Sequence, residues 1–198
     1  MPAPKTLLEL SGADLKPPRL HDAVLVMIDY QNEYLAGPIA LPEARAAIAN
    51  AGHSLARARV AGTPIIHIAH KGRPGGLFDR TADRGAIVPE LAPREGEPVI
   101  EKGLPNAFAG TDLQAQLTAI GRKDIVLAGF MTHMCISSTA RAGLDLGYRI
   151  TVDANSCATR DLPDGRGGAV AAAVIHDVAL TELSDRFAII ARGDGALV

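Results

Sequence analysis

The sequence predicts an α/β protein, a three-layer sandwich with a mostly parallel six-stranded sheet flanked by helices. Three observations carry this. Strand-like apolar runs alternate with helix-forming segments along the chain. The run "AVLVMID" (23–29) is apolar without alternation, as in a strand covered on both faces. The 198 residues, 47% hydrophobic, suit one domain with a substantial core.

The elements follow in order. Residues 1–20 contain four prolines and no long apolar run, so they read as an extended arm on a single domain spanning 1–198. The first strand is 23–29. "LPEARAAIANAGHSLARARVAG" (41–62) is a helix with Pro near its start and Gly at its end. "TPIIHIAH" (63–70) is the second strand. Residues 71–97, rich in Gly, Pro and charge, form a long loop of the kind that usually has a function. "PVIEK" (98–102) is the third strand. "TDLQAQLTAIG" (111–121) is a helix with Thr or Asp as cap and a terminal Gly. "DIVLAGF" (124–130) is a strand and 135–148 a helix. "RITVDAN" (149–155) is a strand, 165–185 a helix broken in two, and "FAIIA" (187–191) the last strand.

Composition excludes several classes. The 20 basic and 22 acidic residues leave a net charge of −2, which argues against nucleic-acid or membrane partners. Two cysteines and no secretory signal lead us to expect a reducing, cytoplasmic setting. The arm and the long loop offer exposed apolar surface, so a homodimer or homotetramer is expected.

In doubly wound sheets, ligands sit beyond the carboxyl ends of the strands. The polar residues there are Asp29, His70, Lys102 and Cys135, with Asp153 to Cys157 after the fifth strand. Cys135 falls at a strand-to-helix junction, where backbone N–H groups and the helix dipole favour a thiolate. Asp29 follows six apolar residues, so burial should raise its pKa and suit it to act as a base. Carboxylate and thiolate repel, and Lys102 supplies the cation between them.

"DYQNEY" (29–34), "EKGLPNAF" (101–108) and "GFMTHMC" (129–135) resemble the three signatures of the isochorismatase-like cysteine hydrolases, which include nicotinamidase and N-carbamoylsarcosine amidase. The resemblance spans about residues 22–192. It implies a cysteine-dependent hydrolase that cleaves the C–N bond of a small amide, ureido or carbamoyl substrate through a thioester. Asp29 would be the general base, Lys102 the stabilising cation and Cys135 the nucleophile. Gln31 would support the site. A cis peptide between Phe130 and Met131 would turn the Met131 N–H beside that of Cys135 as an oxyanion hole.

The family also contains isochorismatases proper, which act on a vinyl ether and have another residue at the cysteine position. The presence of Cys135 places the chain nearer the amidases. A non-catalytic protein using Cys135 as a redox-sensing thiol is the reading from another class. Substrate contacts are expected from Gln31, His70, Asn106, Phe108 and Phe130. His133 is open between pocket rim and subunit contact, and Cys157 reads as packing. Nicotinamidases carry an Asp-x-His…His metal cluster after the second strand. Here His67 and His70 are three apart on a strand and face opposite sides, so neither metal nor cofactor is expected.

Overall fold

The structure is a computed structural model that describes residues 3–193 and Leu197. After a short helix α1 (Leu7–Leu10) come β1 (Ala23–Ile28), α2 (Ala44–Val60), β2 (Ile65–His70), β3 (Val99–Lys102), α3 (Leu113–Ile120), β4 (Asp124–Phe130), α4 (Ser137–Asp145), β5 (Arg149–Ala158), β6 (Leu162–Pro163), β7 (Ala169–Val170), α5 (Ala172–Arg186) and β8 (Ile189–Ala191). Six strands form one sheet in the order β3-β2-β1-β4-β5-β8, with every pairing parallel. β6 and β7 form a separate hairpin.

The alternation of β1 side chains divides the core. Leu25 and Met27 pack with Ala47, Ala51 and Leu55 of α2 on one face. Val24, Val26 and Ile28 pack on the other, with Leu117 of α3, Ala140 of α4 and Leu180 and Leu183 of α5. All six β1 residues are buried, as the unbroken apolar run requires. The strand order reverses between β1 and β4. Their carboxyl ends therefore open the crevice in which such sheets bind ligands.

The arm lies on its own domain. The Leu7 N–H donates to Asp185 Oδ1 of α5 at 2.8 Å, and Arg149 holds the Asp14 carbonyl at 3.1 Å. Loop 71–97 contains two 3₁₀ turns, Asp83–Gly85 and Pro89–Leu91. No helix is long and apolar enough to cross a membrane among the described residues.

Three elements differ from the sequence reading. Helix 165–185 is neither broken nor so early: α5 starts at Ala172. The glycine-rich "DGRGG" forms the β6–β7 turn instead, with Asp164 Oδ1 accepting from the Arg166 and Gly168 N–H groups. The helix read as 135–148 is α4, ending at Asp145 and preceded by a π-helical turn, Thr132–Ile136. β5 continues past 155 to Ala158 because its register against β4 shifts between Leu127 and Gly129. The extra residues are stitched down by Asp153, whose Oδ2 accepts from Ser54 and Ser156, each at 2.7 Å, and by the Tyr30 hydroxyl donating to the Ser156 carbonyl.

Gly129 sits at that shift with φ 144°, and a Cβ there would lie 2.0 Å from the Ile28 carbonyl oxygen. Gly129→Ala is therefore expected to cost about 3 kcal/mol or more. An unchanged urea midpoint would contradict it.

Candidate active site

Three strand ends meet at the crevice. Asp29 follows β1 with φ 55°, Lys102 ends β3, and Cys135 lies in the π-helical turn after β4. Such turns recur at functional sites because the wider coil re-aims side chains. Here the Met131 carbonyl accepts from both Met134 N–H (3.0 Å) and Ile136 N–H (3.3 Å).

Lys102 Nζ stands 2.7 Å from Asp29 Oδ2 and 3.3 Å from Cys135 Sγ. The first contact is an ion pair whose angle falls short of a hydrogen bond. Asp29 Oδ1 has no hydrogen-bond partner among the described residues. Asp29, Lys102 and Cys135 are 0, 2 and 3% exposed. Burial pushes the Asp29 carboxyl up, with Lys102 opposing it. Burial, then Asp29, pushes the Cys135 thiol up to about 12, against the pull of Lys102. The expected lowering of this thiol pKa is thus corrected: in a sealed site, desolvation outweighs the helix terminus and the cation. That direction favours the thiol over the thiolate at rest.

The Phe130–Met131 peptide is cis. Among the described residues the Met131 N–H has no acceptor.

The residues expected to contact substrate separate. His70 borders the site, with Nδ1 3.3 Å from Lys102 Nζ. Burial and then Lys102 hold its imidazole below the ordinary basicity. Gln31 does not face substrate. It is fully buried, its amide N–H groups donate to the carbonyls of His70 (2.9 Å) and Gly85 (2.8 Å), and its carbonyl accepts from His70 N–H (2.8 Å). Its part is to tie the ends of β1 and β2 to the long loop. Asn106 is also committed locally, its Oδ1 accepting from Phe108 N–H at 2.9 Å.

Phe108 points away from the site. It stacks on Tyr148 at 6.0 Å, at the amino end of β5, because the turn after β3 leads the chain back down toward α3. Phe130 is a core residue, 0% exposed and edge-on to Tyr30 and Tyr34 at 4.8 and 5.4 Å. His67 is buried and structural, its Nε2 3.0 Å from Glu97 Oε2. Among the described residues, no three His, Cys, Asp or Glu side chains cluster as metal ligands.

The sequence reading missed three neighbours, Tyr34, Phe78 and Arg160, and left His133 open between pocket rim and subunit contact. Tyr34 sits beside Asp29 and Cys135. Its phenol is pushed up by burial and then by those groups and Glu33, with Arg160 opposing. Phe78, with φ 56°, packs its ring on Tyr34 (5.1 Å) and His70 (4.9 Å), and its N–H donates to Glu33 Oε2. Arg160 follows β5, and its Nε is buried without a hydrogen-bond partner among the described residues. His133 bonds Thr159 through Nδ1, while its buried Nε2 is unpartnered among the described residues. Tyr34 was within reach of the sequence, in the same stretch as Asp29. Arg160 was hidden by the extension of β5, which moves the polar strand end from 153–157 to Thr159 and Arg160.

The chain matches the isochorismatase domain family over residues 23–194. The crystal structure of an isochorismatase from Pseudomonas putida KT2440 superimposes with a TM-score of 0.94 at 41% identity, covering 99% of this chain and 100% of that one. A secreted isochorismatase effector of Verticillium dahliae is 40% identical over 167 residues, 84% of this chain and 85% of that protein. Maleamate amidohydrolase of Pseudomonas putida is 32% identical over 145 residues, 65% of this chain and 68% of that protein. With this sheet order, this crevice and a match over most of its length, the chain belongs to the isochorismatase family and is a hydrolase of that family.

Proposed function

We propose that this hydrolase is cysteine-dependent and cleaves the C–N bond of a small amide, ureido or carbamoyl substrate through a thioester. The observation that supports it is one ammonium, Lys102, between a carboxylate and a thiol in a sealed crevice. Asp29 takes the Cys135 proton as the sulfur attacks the carbonyl. The transfer leaves the net charge of the three groups unchanged, so the dry site needs no new charge. The Met131 and Cys135 N–H groups stabilise the oxyanion. Protonated Asp29 hands its proton to the leaving amine, and the C–N bond breaks. Water, deprotonated by Asp29, then opens the thioester and restores the thiol. Arg160 and His133, each with an unpartnered buried nitrogen, favour a substrate with an anionic group.

A redox-sensing role for Cys135 is disfavoured, because sensors need a low-pKa thiol and this one is pushed up. Hydrolysis of a vinyl ether is the second reading, favoured by the isochorismatase names of the two relatives at 40 and 41% identity. It needs Asp29 as an acid and has no use for the thiol.

The test is a panel of neutral and acidic amides, ureas and carbamoyl compounds, maleamate among them, assayed for ammonia release. Acidic members are expected to turn over best. Cys135→Ala is expected to lose about 10³-fold or more. Retained ammonia release in Cys135→Ala would remove the thioester route. Vinyl-ether cleavage that survives this substitution would favour the second reading.

A further inference from the structure

The π-helical turn is pinned from outside by a residue that no catalytic step uses. Thr132 is 0% exposed, and its Oγ1 lies 2.9 Å from Nδ1 of His176 on α5. Thr132 directly follows Met131 and precedes Cys135 by three residues. Its side chain therefore sits between the oxyanion donor and the nucleophile along the chain. Burial lowers the basicity of His176, with Asp177 opposing and Arg192 adding to the effect. A neutral ring with its hydrogen on Nε2 accepts the Thr132 hydroxyl at Nδ1.

Packing alone does not hold this ring. A cavity of about 170 Å³ lies beside it, lined by Cys157, Thr159, Ala172 and His176 itself. One wall of the imidazole is open, so the hydrogen bond sets its orientation and that of Thr132. Across the turn, the bond from His133 to Thr159 provides a second pin. The turn is thereby suspended between α5 and the end of β5.

We infer that His176 is a positioning residue, which through Thr132 fixes the turn carrying the Met131 N–H and the Cys135 thiol. This rests on the cysteine-hydrolase reading. His176 touches neither the thiol nor Asp29 nor Lys102, so its loss should affect the geometry of attack and not the affinity for substrate. Small misplacements of reacting groups are costly in rate.

The test is steady-state ammonia release by the full chain, beginning with maleamate and the rest of the amide panel. Absence of turnover by the wild type on every member overturns the cysteine-amidase reading, and this inference with it. On an amide that is turned over, His176→Phe and Thr132→Val are each expected to lower kcat about 10-fold with KM within twofold. The double variant should be no worse than either single, because both remove one bond. His176→Asn, which puts an acceptor oxygen near the Nδ1 position, is expected to restore kcat to within about threefold. Thr132→Val keeps the side-chain shape, so it holds the test open if His176→Phe fails to fold. A kcat within twofold of wild type in Thr132→Val overturns the inference. So does a loss that appears in KM alone, or one that His176→Asn fails to rescue.

Discussion

Asp29→Asn is expected to stop turnover while making Cys135 easier to alkylate. The two effects have one cause. Asp29 is the group that receives the thiol proton, and losing a general base typically costs about 10²–10⁴-fold. Its charge also raises the Cys135 pKa, whereas Lys102 lowers it. With the carboxylate replaced by an amide and Lys102 retained, the thiol pKa falls from its present value of about 12. The pH profile of iodoacetamide labelling should therefore move to lower pH, with Cys157 as the internal reference. Near-full turnover in a folded Asp29→Asn protein would rule out Asp29 as the base. Loss of turnover with an unmoved labelling profile would mean that Asp29 does not face the sulfur.

Lys102→Ala is expected to abolish turnover with the opposite labelling shift. Removing the ammonium takes away the group that holds the thiol down, so wherever Asp29 is charged the Cys135 thiol is pushed further up and alkylation slows. The substitution also leaves Asp29 uncompensated in a site where it is 0% exposed. Breaking a buried pair on one side costs about 3–5 kcal/mol when the remaining group stays charged. Asp29 can escape much of that by holding a proton. Its folded pKa, already raised by burial, then climbs further above the unfolded value. A raised folded pKa means that the native state binds the proton more tightly, so stability declines as pH rises above about 4 and through the folded pKa. The variant should melt higher in acid than in alkali relative to wild type. Equal stability losses at both ends would show that the ammonium is not compensating Asp29.

The sheet was legible because parallel strands covered on both faces cannot hide. "AVLVMID", "TPIIHIAH" and "DIVLAGF" are apolar in runs that only a doubly covered strand explains. Their carboxyl ends, together with that of "PVIEK", gave Asp29, His70, Lys102 and Cys135 positions in one crevice before any contact was known. What the sequence concealed lies where tertiary structure overrides local pattern. The β5 extension depends on Asp153, Ser54, Ser156 and Tyr30 meeting from three elements, which no local pattern announces. The aromatic residues were misplaced because a ring near a catalytic residue in sequence is equally suited to pocket and core. Phe108 belongs to the far end of the sheet and Phe130 to the layer beneath the site. The thiol pKa was misjudged because position along a helix is visible in sequence and the depth of burial is not. His176 carries no local signal, since its significance comes only from α5 lying against the turn after β4.

The strand order also has a consequence for the nascent chain. β1 is synthesised early, yet its ladder to β4 pairs Ala23 with Asp124, and Lys102 arrives from the opposite flank of the sheet. Non-local parallel pairings of this kind form late and slowly. Until they do, Cys135 is an ordinary, solvent-accessible thiol with neither its base nor its counter-ion. The burial of the sulfur is a property of the finished sheet, so Cys135 is expected to be most open to oxidants before β1 and β4 pair.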